Sequence, residues 1–135
     1  MQSLIAPTAR SLIVPEIWSW LTPRWVAHLR HGDVGLDPLL TEGRVLSHPF
    51  IVGELACGNL RRRSEILSLL QALPRAIPAR HEEVLQLMEN HQLMGKGLGY
   101  VEMHLLASVF LTRVAFWTLD KKPNKVAAEL RLAPE

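Results

Sequence analysis

The chain is expected to fold as an α/β domain: three layers, with a small, mostly parallel sheet flanked by helices. Two observations point there. Short apolar runs of strand length, Val45-Leu-Ser-His48 and Val114 to Thr118, alternate with longer segments of helical period, the pattern that builds βαβ units. Three acidic residues, Glu54, Glu102 and Asp120, also stand inside or at the end of otherwise apolar segments. A parallel sheet gathers its ligands beyond the carboxyl ends of its strands, and Asp120 falls just past one such end.

A chain of 135 residues, 48% of them hydrophobic, is long enough for one domain with a real core. No apolar run reaches the roughly 18–20 residues needed to span a bilayer. Pro7, Arg10, Pro15 and Glu16 interrupt any signal-peptide core. The single cysteine, Cys57, excludes an internal disulfide and suits a cytoplasmic protein. Within its apolar segment Cys57 reads as a small packing residue rather than a nucleophile. A net charge of +2 permits nucleic-acid binding without requiring it.

Along the chain, residues 24–31 make one or two helical turns stopped by Gly32-Asp33. Asp37, Pro38 and Gly43 supply the N-cap, first position and C-cap of a short helix. A strand at Val45 to His48 ends at Pro49, and Phe50 to Leu60 is an apolar helix carrying Glu54. Apolar residues at 66, 67, 69, 70 and 73 give a second helix closed by Pro74. Ala76-Ile77 suits a brief strand, and His81 to Leu93 is amphipathic. Gly95-Lys-Gly-Leu-Gly99 is a glycine-rich turn without the spacing of a phosphate-binding loop. A buried helix over Gly99 to Thr112, a strand over Val114 to Thr118 and an amphipathic helix over Lys122 to Arg131 complete the chain.

Each acid has an ordinary reading beside the functional one. Glu54 could pair with Arg61 or Arg62 on a helix surface; Glu102 could stabilise the start of its helix through the dipole; Asp120 could cap the last helix. Together they suggest a hard divalent cation, Mg²⁺ or Mn²⁺, which takes oxygen ligands. The histidines at 28, 31, 48, 81, 91 and 104 lack zinc-site spacing, and His104 on its apolar helix reads as a packing residue. Arg61-Arg-Arg63 is a solvated helix start, or a contact for RNA phosphates.

Four segments carry a resemblance to a known family. They are Trp25-Val-Ala-His-Leu-Arg-His-Gly-Asp33, the run from Leu39 to Leu60 with Phe50-Ile-Val-Gly-Glu-Leu-Ala-Cys57, Leu93 to Ser108 with Gly99-Tyr-Val-Glu-Met-His104, and Phe116-Trp-Thr-Leu-Asp-Lys121. From about Trp25 onward the chain resembles PIN-domain proteins, specifically VapC-type ribonuclease toxins of toxin–antitoxin pairs. The resemblance implies a PIN-like parallel sheet flanked by helices and Mg²⁺- or Mn²⁺-dependent endoribonuclease cleavage. It also implies a VapB-type antitoxin as partner, and the apolar helix pair at 50–73 suits either a homodimer or a toxin–antitoxin hetero-oligomer. Glu54, Glu102 and Asp120 match three of the family's four acids and become the implied catalytic and metal-ligating residues. Two departures stand out. Glu102 replaces the usual aspartate, and the family's opening Leu-Val-Asp-Thr-Ser-Val-Trp, with its first acid, is absent.

The bases that can encode Ile17 to Arg24, ATA TGG AGC TGG TTG ACA CCT CGG, read two positions along as Met-Glu-Leu-Val-Asp-Thr-Ser. Residues 1–24 are therefore expected to be an atypical, out-of-frame N-terminal segment, loosely integrated, and residues 25–135 the PIN-like domain. Coding DNA incompatible with that shifted reading would remove this explanation. Three functions follow: an RNA-cleaving toxin, active or impaired by loss of its first acid; a catalytically dead PIN-like protein that only binds antitoxin or RNA; and a helical interaction domain with ordinary surface acids.

Overall fold

Strand β1, Ser11–Val14, occupies the centre of a three-stranded parallel sheet of order β2-β1-β3, between β2, Val45–Leu46, and β3, Ala115–Thr118. The computed structural model describes residues 11–14, 44–59, 62–118 and 121–132, with 13 and 14 described by backbone alone. Register puts Leu12 abreast of Leu46 on one side and Phe116 on the other. All three are buried, so one row of side chains crosses the sheet into the core. The small parallel sheet with helices around it is the PIN-like α/β arrangement that the sequence leads one to expect.

The position of β1 corrects the expectation of loose integration for residues 11–14, the part of the first 24 that is described. Ser11-Leu-Ile-Val is rich in residues that fit a pleated, half-buried surface. The ladder as described ends at Val14, one residue before Pro15 in the sequence. The expected helices at 24–31 and 37–43, and the boundary at residue 24, lie outside the described residues.

Five helices are described: α1, Pro49–Cys57; α2, Arg63–Ala72; α3, His81–His91; α4, Tyr100–Thr112; and α5, Lys121–Glu129. Their order and approximate limits match the sequence periodicity. Helix α4 is the central one, buried without interruption from Met103 to Val109, as befits a helix that is apolar on nearly all sides. Ile51 and Leu55 turn the core face of α1 inward, Ile66 and Leu70 that of α2, and Val84 and Leu87 that of α3, each pair spaced for one helical face. The brief strand expected at Ala76-Ile77 reduces to one bridge a residue earlier, between Ser47 and Arg75. Cys57 is exposed at the end of α1 and does not pack as expected. Among the described residues no helix is long and apolar enough to cross a membrane.

His48 joins β2 to α1. Its Nδ1 accepts the Phe50 N–H at 3.0 Å, which fixes the neutral tautomer, so Nε2–H donates to Ser108 Oγ on α4 at 2.8 Å. Burial, reinforced by nearby His104, pushes the imidazole down from 6.5 to about 4. A group whose folded pKa lies below its unfolded value takes up a proton more readily when unfolded, so folding stability rises with pH between the two values. Acidification from pH 6.5 to 4 should therefore remove on the order of 3 kcal/mol through this residue. Urea unfolding of wild type and His48→Asn across that range checks it: asparagine still caps a helix but does not titrate, so the variant's pH dependence should be flatter.

Candidate functional site

Three helix starts converge where the strands end. Helix α1 begins three residues beyond β2, and the Phe50 ring in its first turn packs on the His104 ring of α4, centroids 4.6 Å apart. Helix α5 begins three residues beyond β3. Its Lys122 side chain lies against Gly97, 3.1–3.4 Å from where a β-carbon would stand. Gly97 also has φ +82°, the left-handed region that favours glycine. The 95–99 turn leads directly into α4, so the first turn of α4 is brought to the carboxyl end of β3.

Glu102 stands in that first turn, half-buried. Its Oε1 accepts the Gly99 N–H at 2.8 Å, the return half of a capping box. The ordinary role foreseen for Glu102, stabilising the start of its helix, is thus realised, and it engages one carboxylate oxygen in a bond to the backbone. Glu54 lies in the second turn of α1, one helical turn after Phe50 and on the same face, and is exposed. Among the described residues Glu54 forms no ion pair, unlike Glu83 and Glu129, which pair with Arg80 and Lys96. Asp120 falls between β3 and α5, outside the described residues.

Carboxylate oxygens are the donor type that Mg²⁺ and Mn²⁺ prefer, and Mg²⁺ commonly takes only one or two carboxylates with water and phosphate completing its shell. Glu54, together with the Glu102 oxygen that does not cap the helix, is compatible with such an ion in kind. Among the described residues no three His, Cys, Asp or Glu side chains cluster closely enough to hold a metal by themselves.

A polar ladder beside this edge was missed at the level of sequence. Tyr100, His104, Ser108 and Thr112 recur every fourth residue along α4. The Tyr100 hydroxyl hydrogen-bonds His104 Nε2 at 2.9 Å and also His81 Nδ1 at the start of α3. Ser108 meets His48, and Thr112 Oγ1 accepts the Ile77 N–H at 2.8 Å. His104 is buried, as its apolar setting suggests, and its Nδ1 has no hydrogen-bond partner among the described residues. Burial, with a lesser contribution from His81, lowers its pKa and favours the neutral ring. The four-residue polar spacing inside an apolar helix was the available signal.

Comparison with known proteins agrees with this architecture. The chain is 39% identical over 113 residues to Ribonuclease VapC32 of Mycobacterium tuberculosis, in both strain CDC 1551 / Oshkosh and strain ATCC 25618 / H37Rv. The match covers 83% of this chain and 91% of each relative. No family model and no solved structure matches the chain. Identity at that level across nearly the whole of a relative is decisive: the chain belongs to the VapC family of ribonucleases.

Proposed function

We propose that the chain is a Mg²⁺- or Mn²⁺-dependent endoribonuclease acting as the toxin of a VapBC-type pair, with RNA as substrate and a VapB-type antitoxin as partner. The observation that carries this reading is the 39% identity spread over 91% of a ribonuclease. Glu54, Glu102 and Asp120 are proposed as the catalytic, metal-holding acids. When bound, the ion would activate water and offset charge developing on the phosphate. Glu102 would then have two tasks: one oxygen holds the helix start through Gly99, and the other would be left to hold the ion. Lys122 leaves a cation over the entering turn, where RNA phosphate would approach.

The test is cleavage of RNA by the purified chain in Mn²⁺ and in EDTA, with growth arrest on expression relieved by the cognate antitoxin. Cutting in Mn²⁺ alone is expected. Cutting that persists in EDTA would rule out metal dependence. A second reading, a binding-only protein that engages antitoxin or RNA without cleavage, is favoured by one observation: the central strand, Ser11-Leu-Ile-Val14, contains no acid. Antitoxin binding by a folded chain that never cuts RNA would establish it. Between these outcomes, slow cleavage would fit a site short of one ligand.

A further inference from the structure

Two side chains stand at the entry to the helix that carries Glu102, one over the turn that leads into it and one on its first residue. Lys122 lies across Gly97, its Cδ, Cε and Nζ all within 3.1–3.4 Å of the position a β-carbon would occupy. Lys96 in the same turn pairs with Glu129 at 3.5 Å, whereas Lys122 takes part in none of the ion pairs formed among the described residues. Tyr100, the first residue of the helix, is 45% exposed, yet its hydroxyl is tied to both His81 and His104. The His81 and His104 rings also contact the Tyr100 ring, at centroid distances of 5.6 and 4.6 Å. An exposed tyrosine ordinarily samples several rotamers. Here the ring is anchored at its far end and partly open to solvent, so ordering it costs little when something stacks on it.

We propose that Lys122 and Tyr100 form a binding track for single-stranded RNA at the start of the helix that carries Glu102, Lys122 contacting a backbone phosphate and Tyr100 stacking an unpaired base. The chemistry of the two groups selects this ligand. A compact ammonium binds phosphate as a point charge, and an aromatic face accepts any base that is not already stacked in a duplex. Gly97 is part of the device, because a β-carbon there would make the lysine give way by a few tenths of an ångström. The inference rests on the ribonuclease reading for its choice of RNA and adds which form of RNA is held and by which residues.

Binding of a fluorescent single-stranded RNA, followed by anisotropy in EDTA over a range of salt concentrations, tests the track without requiring cleavage. Tyr100→Ala should weaken binding roughly 5- to 150-fold, the equivalent of one lost base stack, with an unchanged salt slope. Tyr100→Phe keeps the ring and should bind within about threefold of wild type. Lys122→Gln should reduce the magnitude of the salt slope by about 0.7, one phosphate contact on a single strand, and Lys122→Arg should retain it. Duplex RNA should be insensitive to Tyr100→Ala. Far-UV circular dichroism on each variant separates lost binding from lost folding. An unchanged slope in folded Lys122→Gln, together with Tyr100→Ala affinity within twofold of wild type, overturns the track even if Mn²⁺-dependent cleavage is found. Variant effects as described in a chain that never cuts RNA leave the track standing and remove only the nuclease reading.

Discussion

Glu102→Gln is expected to abolish RNA cleavage while leaving the fold almost unchanged. Glutamine can serve as the third residue of a capping box as glutamate does, so its carbonyl oxygen can still accept the Gly99 N–H now bonded at 2.8 Å. The structural cost should stay below about 1 kcal/mol. What disappears is the negative charge. Loss of partners that merely orient a metal ligand typically costs 10- to 100-fold, so loss of a ligand's charge should cost more than about 100-fold in Mn²⁺-dependent cleavage. Thermal melting beside single-turnover cleavage reads both at once. A variant that cuts as well as wild type would reduce Glu102 to a helix cap. Glu102→Ala removes the cap as well and should show both defects, so the contrast between the variants separates the two roles.

Deleting residues 1–16 is expected to destroy cooperative folding. Those residues include β1, the only strand that pairs with both others among the described residues. Without it, β2 and β3 have no common partner, and the buried row formed by Leu46, Leu12 and Phe116 loses its middle member. The milder Leu12→Ala should cost about 2–5 kcal/mol, as expected for a fully buried leucine. That is a large share of the roughly 5–15 kcal/mol by which domains are usually stable. Denaturant unfolding followed by circular dichroism checks both variants. A truncated chain that melts like the full one would mean that the strand at Ser11–Val14 is dispensable.

Much of the helical frame was legible because each helix announces itself locally. Ile66 and Leu70, and Val84 and Leu87, recur at helical spacing on buried faces, and Glu102 sits three residues after Gly99 as a capping box requires. The central strand was not legible. Three apolar residues after a serine in a proline-rich segment look like any short apolar run, and only pairing with Val45 and Ala115, tens of residues away, makes Ser11 onward a strand. The candidate site divides in the same way. Glu54 and Glu102 stood out as charges in apolar surroundings, a local signal. The Lys122–Gly97 approach and the His48–Ser108 bond join residues far apart in sequence, and composition does not encode such meetings. The four-residue spacing of Tyr100 and His104 was a local signal that went unread, and His81, which bonds the Tyr100 hydroxyl, lies on another helix.

Binding of Mn²⁺ in the absence of RNA, followed by electron paramagnetic resonance, tests most directly whether these acids hold a divalent ion. Titration of the folded chain should show bound Mn²⁺ that EDTA removes and Mg²⁺ displaces, and Glu54→Gln, Glu102→Gln and Asp120→Asn should each weaken it by at least about tenfold. Absence of bound Mn²⁺ in the folded wild-type chain, or binding that none of the three substitutions weakens, would contradict a metal site built on Glu54, Glu102 and Asp120.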